Sequence, residues 1–187
     1  MSAPDLAALV GSRLCHDLVS PLGAIGNGVE LLRMLHQGSD ELELIEQAVT
    51  AAQAKVLLFR LAFGVAQPGQ EVRGPDVAEA LGALALHGRI SLETALPSAL
   101  PRIAARRLAL AALCAESALA WGGNLHVLPG SVTARAERMR LDPALWDPMA
   151  AGTAVADPVA ATVHFALLAL EGDVSVHRDA DAVTIRV

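Results

Sequence analysis

Two long stretches of helical periodicity, separated by one break, constrain this chain more than any other feature. Helical signals run from about Pro4 to Leu35, with Pro4 at a first-turn position and Gly38 suited to stopping the helix. At about 100° per residue, Leu14, Leu18, Leu22, Ile25, Val29 and Leu32 fall within about 80° of one another, while His16, Ser20, Gly23, Asn27 and Glu30 fall on the opposite side. His16 is therefore expected to face water. After a turn at Gly38 and Ser39, Asp40 and Glu43 have capping-box spacing, and Leu42, Ile45, Val49, Ala52, Val56, Phe59 and Phe63 keep one face apolar to about Ala66. The expected product is an antiparallel helical hairpin. A hairpin encloses no interior, so its apolar stripe needs a cover. Self-association into a four-helix bundle supplies one; packing of residues 71–187 on the stripe is the alternative.

Gln67-Pro68-Gly69-Gln70 punctuates the end of the hairpin and places a boundary near residue 70. Beyond it the pattern is mixed. A helix is predicted over Asp76–His87, a strand over Arg89–Glu93, and a longer helix over about Pro101–Trp121, stopped by Gly122-Gly123. Asn124–Leu128 and Ser131–Arg138 read as strands around the turn Pro129-Gly130; Asp157–Leu170 reads as a helix, and Asp173–His177 as a strand pairing with Ala182–Arg186. The predicted class is α+β, a small sheet with helices on one face. Asp142-Pro143 and Asp147-Pro148 carry turn chemistry, and Trp121 and Trp146 are expected to anchor packing. His36, His87, His126, His164 and His177 share no metal-ligand spacing and read as loop or surface residues.

A length of 187 residues suits one globular domain, or a helical module followed by a modest second domain. The hydrophobic content of 53% comes largely from Ala and Leu, and charges interrupt every apolar run before the roughly 20 residues that a membrane span requires. The start, Met1-Ser2-Ala3-Pro4-Asp5, lacks the basic residues and apolar block of a secretion signal, so a cytoplasmic location is expected. Cys15 and Cys114 stand far apart without CxxC spacing, which favours free thiols. A formal charge of −6 with few aromatics argues against a nucleic-acid surface, and the expected partner is protein.

The chemistry concentrates at Leu14-Cys15-His16-Asp17-Leu18-Val19-Ser20-Pro21-Leu22. Phosphoryl transfer through histidine requires an imidazole nitrogen exposed to in-line attack, and a neighbouring carboxylate can orient the ring through its other nitrogen. Asp17 is placed for that role. Pro21 has no amide hydrogen, so the carbonyl of Asp17 loses its usual helical partner beside the histidine. Across an antiparallel hairpin the neighbours of His16 fall near residue 60. Arg60 lies there, and with Arg13 it either balances phosphate charge or contacts an acidic receiver pocket, unless both arginines are ordinary solvated helix residues.

Histidine, acid, aliphatic residue, two variable positions and proline at the start of a helical hairpin resemble the H-box of the dimerisation and phosphotransfer domain of sensor histidine kinases, and His16 through Leu22 matches it. The longer run from Ser12 to Leu32 is similar to the ChpT family of alphaproteobacterial histidine phosphotransferases, with weaker likeness at Gly122-Gly123-Asn124-Leu125 and over Leu170–Val176. This resemblance implies a dimerisation and phosphotransfer hairpin over residues 1–70. Over residues 71–187 it implies a degenerate kinase-type, Bergerat-like α/β sandwich that no longer binds nucleotide. His16 would be the phosphoacceptor, Asp17 its orienting acid and Ser20 the polar H-box position; Arg13, Pro21, Leu22, Arg60 and Phe63 would meet the partner. The implied function is a phosphorelay shuttle between the receiver aspartate of a hybrid histidine kinase and those of response regulators governing cell-cycle transcription and regulated proteolysis. The chain would act as a homodimer without a cofactor of its own, the receiver supplying Mg²⁺.

A histidine kinase binds ATP through an Asn-bearing helix, a DxGxG loop and a further glycine-rich loop. Here Cys114 and Ala118 stand where the asparagines are expected, DxGxG is absent, and the glycines at 122, 123, 130, 152 and 172 are scattered. Two other functions are distinguishable by experiment: an ATP-dependent kinase core, and a non-catalytic dimeric adaptor that binds receivers.

Overall fold

The computed structural model describes residues 6–35 and 39–187, so Pro4, His36 and the stop at Gly38 lie outside the described residues. The chain divides into two compact units between Val65 and Ala66.

The first unit is a hairpin of α1, Leu6–Leu35, and α2, Asp40–Phe63. Ser39, not Asp40, is the N-cap of α2: its hydroxyl accepts from the Leu42 amide at 3.3 Å. A serine outside the helix can turn its side chain onto the first free amides, whereas Asp40 is already inside, where its charge favours the positive end of the dipole. The helices approach through small residues. Gly11 lies so close to α2 that a Cβ there would stand 3.0 Å from the carbonyl oxygen of Phe63. The buried residues of α1 include Ala8, Cys15 and Val29, which share a face with Gly11 and Gly26.

Polar ties among the described residues run along the hairpin. The Val65 amide donates to Ser12 Oγ at 2.9 Å, Gln53 Nε2 donates to the Leu22 carbonyl at 3.2 Å, and Arg33 Nη1 reaches both oxygens of Glu46 at 2.9 and 2.7 Å. The apolar stripe stands beside this seam, not within it: Leu14, Leu18 and Ile25 are 59%, 48% and 51% exposed. Leu32, Ile45 and Phe59 are also exposed, and of the stripe on α1 only Val29 is buried. Residues without bulk allow the close crossing, so the leucines are displaced to one side of it.

The second unit runs β1 Glu71–Arg73, α3 Gly74–Gly82, β2 Ile90–Thr94, β3 Ala99–Pro101, α4 Arg102–Ala118, β4 Gly123–Leu128, β5 Ser131–Arg135, α5 Pro143–Ala150, a 3₁₀ turn Ala160–Thr162, α6 Val163–Leu170, β6 Ser175–Arg178 and β7 Ala182–Arg186. β1 and β3 form a small antiparallel pair; the other five strands form one sheet in the order β2-β4-β5-β7-β6, parallel only between β2 and β4. Alternation sets its faces. Leu125, Val127, Val132, Ala134, Val183 and Ile185 are buried, and α4 packs against β4, β5 and β7. Thr133 and Thr184 pair on the opposite face through their hydroxyls at 2.9 Å. The class is α+β, a helical hairpin followed by a mixed sheet with helices.

Several local expectations change. The helix expected to reach His87 ends at Gly82, the strand expected to reach Arg138 ends at Arg135, and the helix expected from Asp157 begins as 3₁₀ at Ala160. Asp142-Pro143 and Asp147-Pro148 belong to α5, not to turns: Asp142 caps it by accepting from the Ala144 amide at 3.0 Å, and Pro143 sits where a missing N–H costs nothing. Trp146 is buried as an anchor, but Trp121 is 54% exposed with the Arg138 guanidinium 3.8 Å above its ring. His164 lies within α6 and is half-buried, with the Phe165 ring 5.0 Å from its own. Among the described residues no helix is long and apolar enough to cross a membrane.

Candidate functional site

α1 carries His16 outward: its side chain is 81% exposed, and its Nδ1 lies 3.1 Å from Asp17 Oδ1. The second carboxylate oxygen of Asp17 accepts from Arg13 Nε at 2.8 Å, one helical turn back. Asp17 thus divides its oxygens between the imidazole and the guanidinium. The bond to His16, followed by that to Arg13, lowers its pKa below the usual carboxylate value. With its proton on Nδ1, the ring would donate to Asp17 and carry its lone pair on the exposed Nε2 side.

The surrounding residues divide into two groups. Ser20, one turn beyond His16, and Pro21 are exposed on α1. Pro21 is accommodated inside the continuous helix, and the next residue, Leu22, is half-buried with its carbonyl held by Gln53. Arg60 is exposed on α2 and electrostatically close to Cys15: burial raises the Cys15 thiol pKa, and the Arg60 charge offsets part of that rise. The hairpin register therefore brings Arg60 beside the histidine's neighbour. Phe63 is half-buried, its ring 5.6 Å from that of Phe59 and its backbone against Gly11. Of the residues expected to meet a partner, Phe63 thus belongs mainly to the hairpin's packing.

Two contributors were not drawn from the sequence. The Arg13–Asp17 pair was legible in its spacing of four. Gln53, which braces the backbone beside Pro21, joins residues distant in sequence and gave no local signal.

In the second unit, Cys114 and Ala118 are fully buried in α4, so both serve the core. His126 pairs with Glu93 at 3.3 Å and His177 with Asp179 at 3.2 Å, while His87 is exposed. No group of three or more His, Cys, Asp or Glu side chains suited to a metal ion occurs among the described residues.

Residues 74–174 match the family described as histidine phosphotransferase C-terminal domain. The protein phosphotransferase ChpT of Brucella abortus (strain 2308) is 47% identical over 66 residues, covering 35% of this chain and 32% of that protein. The chain thus spans about a third of the length of the curated relative that it matches. Among solved structures, a bacterial phosphotransferase determined at 1.7 Å aligns over 99% of this chain and 96% of its own, with a TM-score of 0.64 and 25% identity. With more than half of its residues covered by the family match, the chain belongs to the histidine phosphotransferase C-terminal domain family.

Proposed function

We propose that this protein is a histidine phosphotransferase of a two-component phosphorelay. His16 takes a phosphoryl group from the receiver aspartate of a hybrid histidine kinase and passes it to the receiver aspartate of a response regulator. The observation that carries the reading is an imidazole 81% exposed, anchored by Asp17 through Nδ1, on the first helix of a hairpin in a chain of this family.

In the transfer, the Nε2 lone pair forms a bond to phosphorus as the bond to the donor aspartate oxygen breaks, releasing a carboxylate. The Nδ1 proton stays with the ring and its charge is balanced by Asp17. The phosphoramidate and the acyl phosphate are both high in energy, so the step runs in either direction. Mg²⁺ belongs to the receiver. Asp17 is poorly suited to holding it, because both its oxygens are already engaged by His16 and Arg13. Arg60 and the exposed surface around Ser20 and Pro21 provide the docking face.

The exposed apolar stripe on the hairpin supports a homodimer in which two hairpins complete a four-helix bundle. The protein acts in the cytoplasm, with partners in cell-cycle control. The deciding experiment incubates the chain with a receiver phosphorylated on aspartate and follows labelled phosphate by gel. Label on the wild type and none on His16→Gln supports the reading; label retained by His16→Gln overturns it. Labelling by ATP alone would instead make the chain a kinase.

A further inference from the structure

We infer that Arg13 is a positioning residue for the phosphoacceptor, acting through Asp17 to set which nitrogen of His16 carries the lone pair. The inference deepens the phosphotransfer reading and rests on it for its importance, though its central observable is a property of the protein alone.

An isolated carboxylate next to an imidazole in sequence has freedom to rotate away, because both side chains are exposed on a helix and water competes for each hydrogen bond. Asp17 is 47% exposed, so its contact with His16 needs a second restraint. Arg13 supplies it from one turn back. Its Nε donates to Oδ2 at 2.8 Å, on the opposite side of the carboxyl group from the oxygen facing His16 Nδ1 at 3.1 Å. With one oxygen on the guanidinium, rotation of the carboxylate would break a charge-assisted bond. After the His16 bond itself, the Arg13 guanidinium also helps to hold the pKa of Asp17 down and so keeps it ionised, the state that accepts a hydrogen bond from Nδ1–H. Arginine at this position therefore need not touch phosphate to matter. Its effect passes down a line of three residues, Arg13 to Asp17 to His16, and ends as a preference for the Nδ1–H tautomer with Nε2 free to attack.

A docking role for Arg13 makes different predictions, and inorganic phosphoramidate separates the two, since it presents no protein surface to dock. In its reaction Nε2 forms the new bond to phosphorus while the bond to the donor's nitrogen breaks and ammonia departs; the Nδ1 proton remains toward Asp17. The full-length chain, wild type and with Arg13→Gln, Arg13→Lys, Asp17→Asn or the Arg13→Gln/Asp17→Asn pair, is labelled by phosphoramidate, and the His16 tautomer is read from its ring ¹⁵N shifts. Arg13→Gln is expected to move the ring toward the Nε2–H tautomer and to slow labelling about two- to fivefold, as befits one exposed charge pair. Arg13→Lys restores most of both. In the Asp17→Asn background Arg13→Gln adds nothing, because the line is already cut.

Unchanged tautomer and labelling in Arg13→Gln overturn the inference, as does an Arg13→Gln effect that persists undiminished beside Asp17→Asn. Slower transfer from a phosphorylated receiver with an unaltered tautomer makes Arg13 a docking contact and likewise overturns it. Should no receiver ever exchange phosphate with His16 while the tautomer shift is observed, the positioning stands and the phosphorelay reading falls.

Discussion

The Trp146 indole stands edge-on to the Phe165 ring, with centroids 5.3 Å apart and planes at 78°. This contact joins α5 to α6, and both side chains are almost completely buried. The edge of one ring meets the electron-rich face of the other, which adds about 0.5–1.5 kcal/mol to what burial alone supplies. α5 also lies against the edge strand β6, where Arg178 Nη1 donates to Asp147 Oδ1 at 2.8 Å.

Trp146→Ala is accordingly expected to destabilise the second unit by about 3–5 kcal/mol, the cost of removing a large buried aromatic and leaving its cavity. Urea unfolding followed by circular dichroism measures it. A loss below about 1 kcal/mol would mean that the pocket collapses around the smaller side chain.

What the sequence made legible was decided by how far each signal reaches. The β4–β5 hairpin announced itself through alternating apolar residues and the Pro129-Gly130 turn, because both are local. α5 was hidden because Asp142-Pro143 serves equally well as a turn or as a cap followed by a first helical residue, and only the packing of Trp146 chooses the helix. β1 and β3 have three residues each, too few to show a period. Periodicity found the apolar stripe on α1 but not the seam beside it, since Gly11 and Gly26 contribute by lacking bulk, which a hydrophobic pattern does not register. At the site, His16 and Asp17 were legible by adjacency; the bracing of Leu22 by Gln53 depends on hairpin register and was not.

The leucine stripe leads to a test of assembly. Leu18→Glu combined with Ile25→Glu places two charges on a face that is about half exposed in the single chain, so the hairpin itself should tolerate them. In a dimer the same charges would be desolvated against apolar neighbours. Light scattering coupled to gel filtration should give twice the chain mass for the wild type and the single-chain mass for the variant, with helix content retained. A variant that keeps the double mass would exclude this stripe as the seam.

Asp17→Asn removes the charge but preserves size, and its amide can present either an acceptor or a donor to His16 Nδ1. The ring then loses its fixed tautomer and the balancing charge for the imidazolium that forms. Single-turnover transfer from a phosphorylated receiver should slow by roughly 10²-fold, the scale of an oriented acid–base partner. The dependence on receiver concentration should stay unaltered, because the docking face is untouched. A changed concentration dependence with an unaltered maximal rate would assign Asp17 to docking.

His164 makes the second unit sensitive to acid. Its Nε2 is buried without a hydrogen-bond partner, its ring lies 5.0 Å from that of Phe165, and burial lowers its pKa from 6.5 to about 4. The folded chain therefore resists protonation that the unfolded chain accepts. Between those two values the unfolded state holds more protons, so stability is highest above about pH 6.5, declines as the pH falls and levels out below about 4. The expected loss from this group is roughly 2 kcal/mol between pH 7.5 and pH 5. His164→Leu replaces the ring with a group that takes no proton and satisfies no bond, which suits an apolar site. Its urea midpoint should be less dependent on pH across that interval than that of the wild type, whatever its absolute stability. Parallel midpoint profiles for the two proteins would show that His164 is protonated as readily in the fold as out of it.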